Sequence, residues 1–180
     1  MNELFFEIRP ERTGDEAAIR EVTRRAFANS EFGHNGEAEL IDRLRQEDGV
    51  SSSLVAESAS RIIGHILFSQ ATIEWPGRQS CGLGLAPLSV LPEFQRRGIG
   101  SRLIEAGLAA AAESSNEFVI VLGHPDYYPK FGFKPASQSN IACEFEGIPD
   151  AAFLIRWLKQ PGQCEVQGVA KYHPVLSTPG

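Results

Sequence analysis

The residues best placed to do chemistry lie in the run Leu88-Ser89-Val90-Leu91-Pro92-Glu93-Phe94-Gln95-Arg96-Arg97-Gly98-Ile99-Gly100-Ser101-Arg102-Leu103. An extended apolar segment ends in a turn, and the turn opens a helical pattern through two glycines one residue apart. Glycine lets a backbone adopt positive φ and approach a ligand closely. The first turn of a helix leaves N–H groups unpaired and carries about half a unit of positive charge. Together these make an anion cradle of the size of a pyrophosphate, and Arg96, Arg97 and Arg102 add local positive charge. The plain structural alternative is a tight strand-to-helix turn with a solvated arginine pair. Two other phosphate-binding patterns do not fit. A Walker loop needs G-x-x-x-x-G-K-[ST], which is absent, and a dinucleotide fingerprint needs a third glycine where this chain has Leu103.

The elements that must position this run read as follows. Phe5, Phe6 and Ile8 predict a short first strand, and Thr13-Gly14-Asp15-Glu16 a capping box opening a helix with Ala18, Ile19, Val22, Ala26 and Phe27 on one stripe. After a polar break with Gly33 and Gly36, Leu40, Ile41 and Leu44 predict a second helix. Ser53 to Glu57 reads as a strand, Ser58-Ala59-Ser60 as a turn, and Arg61 to Glu74 as a long central strand, apolar on both faces. Cys81 to Val90 is the next strand. Pro87 cannot donate to a ladder, so that strand must be bulged or open on one side there. Gly98 to Ser114 reads as a helix with Ile99, Leu103, Ala106 and Ala110 inward, Phe118 to Leu122 as a covered strand, and residues 153–158 and 166–173 as two closing strands. The order predicts one mixed α/β domain over residues 1–173, with residues 174–180 as a loose tail.

The chain has 180 residues, 42% of them hydrophobic and 22% charged, which suits one globular domain and argues against disorder or a fibrous chain. Seventeen Lys and Arg against 23 Asp and Glu give a net charge of −6, which disfavours nucleic acid as a partner. No apolar run reaches the length of a membrane span, and MNELFFEIRPE lacks the basic lead of a signal peptide, so a cytoplasmic protein is expected. Cys81, Cys143 and Cys164 form no CxxC pair and read as reduced thiols; with no H-x-x-x-H pattern around His34 or His173, no metal is expected.

Gln95-Arg96-Arg97-Gly98-Ile99-Gly100, after a strand and the Leu91-Pro92-Glu93-Phe94 turn, resembles the acetyl-CoA motif of the GNAT superfamily of N-acetyltransferases. Tyr128-Pro129-Lys130-Phe131-Gly132-Phe133 is similar to that family's Y-x-x-[LF]-G-F segment, and the two together resemble a bacterial subgroup of acetyltransferases over about residues 5–140. The resemblance implies a GNAT-type α/β fold: a mixed central sheet with a splayed strand pair, flanked by about four helices. It implies acetyl-CoA as co-substrate, with pantetheine in the splay against the backbone of Leu88, Ser89 and Val90. The pyrophosphate would rest on the amides of Gln95, Arg96, Arg97, Gly98, Ile99 and Gly100, with Ser101 adding a hydroxyl.

The implied reaction is direct transfer of acetyl to a primary amine in a ternary complex. A backbone N–H near Leu88 would hold the oxyanion. Tyr128, four residues before Gly132, would protonate the leaving thiolate and contact the cofactor; Tyr127 is its immediate rival. An ammonium acceptor needs a base or a water relay. The splayed strand offers no Asp or Glu, which leaves His65, Glu57, His124, Asp126, Glu37, Glu39 or a water chain. His65 is the first choice because its ordinary pKa suits the task; a core histidine is the competing reading. The acceptor is expected to be a small amine. The alternatives are a protein or peptide amine, and a non-catalytic acyl-CoA-binding regulatory module. A homodimer is left open.

Overall fold

The computed structural model describes residues 4–28, 36–160 and 166–177. Gly33, His34 and Cys164, named above, lie outside them, as do the last three residues of the expected tail. The described chain forms nine strands, β1 (Glu7–Pro10), β2 (Val50–Ser58), β3 (Arg61–Trp75), β4 (Arg78–Val90), β5 (Phe118–Leu122), β6 (Lys134–Pro135), β7 (Ile141–Cys143), β8 (Phe153–Trp157) and β9 (Gly168–Tyr172). Four helices accompany them: α1 (Glu16–Phe27), α2 (Glu37–Gln46), α3 (Ile99–Ala112) and α4 (Pro174–Ser177). They gather into two compact units. One contains the chain up to Phe68 together with Pro87–Leu108, the other Ser69–Ala86 with Ala109–Pro179; β3 and β4 run through both.

In the first unit β1 pairs antiparallel with β2, from Glu7↔Glu57 to Pro10↔Leu54, and the order continues through β3 to β4. Ile62 to Ser69 of β3 are buried without a break, the pattern of a strand covered on both faces. Ile19 and Val22 of α1, Ile41 and Leu44 of α2, and Ile99 and Leu103 of α3 are all at most 2% exposed. Gly64 and Gly107 show how closely α3 lies on β3. A Cβ on Gly64 would stand 3.0 Å from Ile99 Cγ2, and one on Gly107 would stand 2.3 Å from the Phe68 ring.

The second unit pairs β4 with β5 in parallel, β5 with β8 and β8 with β6 antiparallel, β9 with β3 antiparallel, and β7 with β9 in parallel. Its core gathers Ile73, Phe118, Ile120, Phe153, Ile155 and Tyr172, with Trp75 and Trp157 packed against it.

Several local expectations are corrected. Asp15, not Thr13, occupies the α1 N-cap, and its side chain makes no cap bond. The Asp15 carboxylate is instead taken by the Arg9 guanidinium at 2.6 Å and the Arg12 N–H at 2.8 Å, and Glu16 reaches back only to the Gly14 N–H. Ala18 is exposed and Thr23 buried, so the inner stripe of α1 is Ile19, Val22 and Thr23. In α3 Ala110 is exposed, while Ile104, Leu108 and Ala111 are buried. Strands β6 and β7 have no counterpart in the sequence reading, because two or three residues show no period. Within the segment expected to be loose, Pro174–Ser177 forms one helical turn and Val175 is 2% exposed.

Candidate active site

In the second unit the parallel β4–β5 ladder comprises Leu83↔Val119 and Gly84↔Ile120 and ends there, although β4 runs on to Val90 and β5 to Leu122. Pro87 falls beyond the end of that ladder, as a residue without an N–H donor requires.

The first unit carries the far end of β4 and the glycine loop. Ala86, Leu88 and Val90 are half-buried, whereas Pro87 and Ser89 are buried. The Ser89 hydroxyl lies 3.3 Å from that of Thr23, and both residues are at most 1% exposed. A 3-10 turn over Pro92–Phe94 follows, held by Leu91 N–H to Ile63 C=O at 3.0 Å. Gln95 to Gly98 are exposed apart from the turn they close. Arg96 has φ 59 and Gly98 φ 82, so the chain makes a left-handed reversal just before α3. The first helical bond runs from Arg102 N–H to Gly98 C=O, which leaves the N–H groups of Gly98, Ile99, Gly100 and Ser101 without intrahelical acceptors. Gln95 stands apart from this set. Its backbone N–H donates to Pro92 C=O at 3.3 Å and its side-chain amide to Val90 C=O at 3.1 Å. The Arg97 guanidinium lies over the Phe94 ring.

His65 is fully buried, and burial pulls its pKa down to about 3, with the nearby Arg45 charge acting in the same direction. Its Nε2 is 2.9 Å from Ser53 Oγ, and Ser53 in turn donates to Glu11, which is ion-paired with Arg45. Since the single Ser53 proton goes to Glu11, His65 Nε2–H is the donor to Ser53. His65 Nδ1 has no partner among the described residues. Glu57 accepts from Arg9 at 2.5 Å, and Glu39 is paired with Arg20 and Arg24. A cavity of about 230 Å³ opens between the end of α1 and the start of α2, lined by Thr23, Arg24, Phe27, Ala28 and Glu37 to Glu39.

In the second unit, Tyr128 precedes a 3-10 turn over Pro129–Phe131 that Gly132, at φ 84, terminates. The Arg156 guanidinium donates to Phe131 C=O at 2.5 Å and fixes the turn. Tyr128 is 8% exposed, with its ring against Gly123 and edge-on to Tyr127 and Phe133. Burial, and then the neighbouring Tyr127, push its hydroxyl well above the usual tyrosine range, so it is a proton-bearing group at any ordinary pH. Tyr127 is half-buried under the Lys130 ammonium, 4.2 Å from its ring centre. His124 and Asp126 are exposed, 3.9 Å apart. Among the buried polar residues that the sequence reading did not single out are Thr23, one place past the visible apolar stripe, and Tyr172, whose surroundings come from strands distant in the chain.

The acetyltransferase (GNAT) domain family matches residues 50–135. The uncharacterized N-acetyltransferase YjhQ of Escherichia coli K12 is 38% identical over 125 residues, 68% of this chain and 66% of that one. The Escherichia coli N-acetyltransferase YhbS, crystallised with CoA, superposes with a TM-score of 0.85 at 29% identity, covering 98% of this chain and 94% of that one. A GNAT family acetyltransferase of Brucella melitensis, crystallised with acetyl-CoA, gives a TM-score of 0.78 at 34% identity, covering 96% of this chain and 98% of that one. The two units thus make up a single α/β domain with a mixed sheet, and the chain belongs to the GNAT acetyltransferase family.

Proposed function

We propose that this protein transfers an acetyl group from acetyl-CoA to the primary amine of a small molecule. The observation that carries the reading is the short β4–β5 ladder: it stops at Gly84 while β4 continues to Val90 and delivers a loop of unpaired amides. The amides of Gly98, Ile99, Gly100 and Ser101, next to the positive-φ pair Arg96 and Gly98, fit a pyrophosphate. Gln95 acts differently from the others. Its own bonds to Pro92 and Val90 brace the loop from behind. The backbone of Leu88 to Val90 would carry the pantetheine, with a Leu88-region N–H for the oxyanion.

Acetyl-CoA supplies an activated acyl carbon. The amine nitrogen adds to that carbon, the C–S bond breaks, and the leaving sulfur takes the Tyr128 proton. Tyr128 is taken before Tyr127 on its place four residues before Gly132, as the resemblance implies, and its buried hydroxyl carries its proton at any ordinary pH. His65 is held neutral by burial and hydrogen-bonded to Ser53, so it suits an internal structural role and not the proton acceptor. Glu57 and Glu39 are engaged by arginines. The acceptor's proton then passes to water, and the Tyr128 phenolate takes one back from water, so the protons balance. The α1–α2 cavity, at about 230 Å³, offers room for a small amine.

The test is CoA thiol release across a panel of amines and short peptides, with Tyr128→Phe in parallel. The expected result is turnover on small amines that falls about 10²–10⁴-fold in Tyr128→Phe with acetyl-CoA affinity retained. Turnover that survives in Tyr128→Phe and collapses in Tyr127→Phe reverses the tyrosine assignment. Turnover on peptides alone overturns the acceptor class. Acetyl-CoA binding without turnover on any amine favours the regulatory module.

A further inference from the structure

We propose that Arg156 is the positioning residue of the tyrosine acid: it ties the Tyr128 turn to β8 and so sets where the Tyr128 hydroxyl stands. The acid role of Tyr128 is taken from the function proposed above. Every residue in the argument belongs to the second unit. Arg156 is half-buried, and its one hydrogen bond among the described residues runs from Nη1 to Phe131 C=O at 2.5 Å. A guanidinium withdrawn from water is ordinarily matched with a carboxylate. Among the described residues this one has no such partner and holds a neutral backbone oxygen instead. That oxygen closes the 3-10 turn over Pro129–Phe131. The last carbonyls of a helical turn have no partner within it, and a turn of three residues holds poorly by itself. Arg156 caps the turn from outside, as a cation can at a helical C-terminus. Its side chain also lies along Gly132, where a Cβ would be in ordinary contact, 3.8 Å from Nε.

Phe131 carries the effect to Tyr128. Its N–H donates to Tyr128 C=O at 2.9 Å while its C=O accepts from Arg156, so one residue joins the tyrosine backbone to the strand. The strand is a firm anchor. Arg156 sits opposite Val119 in the β5–β8 ladder, which runs from Phe118↔Trp157 to Leu122↔Phe153, and Ile155 beside it pairs with Lys134 of β6. The Tyr128 ring is referred to the same strands. It lies so close to Gly123, the residue after β5, that a Cβ there would be 2.2 Å from Cε2. The backbone of Tyr128 is thus set from β8 and its ring from the end of β5. Removing the Arg156 bond leaves the ring contact and frees the end of the turn, which shifts the hydroxyl.

Arg156→Met keeps an apolar stem and removes the donor. The experiment measures amide hydrogen exchange in the ligand-free protein, acetyl-CoA affinity by calorimetry, and kcat on the small amine turned over fastest in the panel above. The expected result is exchange at Phe131 and Gly132 faster by about tenfold or more, the factor that one hydrogen bond from a charged donor represents, with Val119 and Ile120 unchanged. Acetyl-CoA affinity stays at the wild-type value, kcat falls about tenfold, and the substitution causes no further loss in a Tyr128→Phe background. A residue that serves stability alone would leave kcat of the folded protein untouched. Wild-type exchange at Phe131 and Gly132 overturns the clamp. Faster exchange with wild-type kcat, or a fall in kcat that persists in full beside Tyr128→Phe, keeps the clamp and overturns the positioning role. If Tyr128→Phe alone leaves turnover intact, or no amine is acetylated, the acid role fails and the positioning role with it, while the exchange reading still decides the clamp. Should Arg156→Met not fold, Arg156→Gln, whose amide is too short to reach Phe131 C=O, decides by the same readings.

Discussion

A histidine that is neutral inside the fold leaves a signature in the pH dependence of stability. His65 titrates near 6.5 when unfolded and near 3 in the folded protein, because burial strips its solvent and Arg45 adds a like charge. Between those values the unfolded chain binds one more proton than the native one. Stability therefore rises with pH across that window and is lost as pH falls, at about 1.4 kcal/mol per pH unit for a single group. From pH 6.5 to 4.5 this amounts to roughly 2–3 kcal/mol, and the window stops short of where the Arg9-paired Asp15, held below the usual carboxylate range, begins to titrate. The perturbation is His65→Gln, which keeps a donor for Ser53 and removes the ionisation. The assay is urea unfolding of both proteins at half-unit pH steps. The expected outcome is a Gln variant that is less stable at pH 7, yet loses about 1.4 kcal/mol per unit less than wild type on acidification. Parallel pH slopes would refute the buried neutral imidazole. They would also restore His65 as a titrating base, with an inflection near 6.5 in the rate profile.

Three other substitutions, at two glycines, probe the loop and the helix behind it. Gly98→Ala places a side chain at φ 82 with nothing within 4 Å, so it costs only backbone strain, about 1–2 kcal/mol; Gly98→Asp adds a negative charge at the amide cradle. Both are expected to lower the melting temperature alike, but acetyl-CoA affinity should fall a further tenfold or more in the Asp variant, by an amount that shrinks in high salt; equal affinities would remove the pyrophosphate from this loop. Gly107→Ala gains about 1 kcal/mol of helix propensity but drives a Cβ to 2.3 Å from the buried Phe68 ring, so a net loss of about 1–2 kcal/mol is expected in thermal unfolding. A raised melting temperature would mean that α3 packs on β3 more loosely than described.

What could be read in the sequence divides by range of interaction. The glycine loop and the Tyr128 turn are local. Gly98 and Gly132 do stand at positive φ, and Pro129 does open a 3-10 turn, because these residue types act through their own backbone. Pro87 likewise announced a gap in a ladder within its own strand. The errors arise where a distant partner decides. Thr13-Gly14-Asp15-Glu16 has the letters of a capping box, but Arg9 reaches Asp15 from β1 and takes the carboxylate out of capping. In sequence His65 is the first choice as base with a core histidine as the competing reading, and its complete burial supports the core histidine. Tyr172 is the strongest case. It looked like one more alternating residue of a closing strand, yet β9 does not pair with the neighbouring β8. It pairs with β3, a hundred residues back in the chain, and that non-local register alone brings a tyrosine ring onto Gly84. A glycine-rich strand such as Cys81 to Val90 therefore carries half of a message. It says that something lies close against the backbone, and the topology supplies what that is: the Phe118 ring at Gly82 and the Tyr172 ring at Gly84.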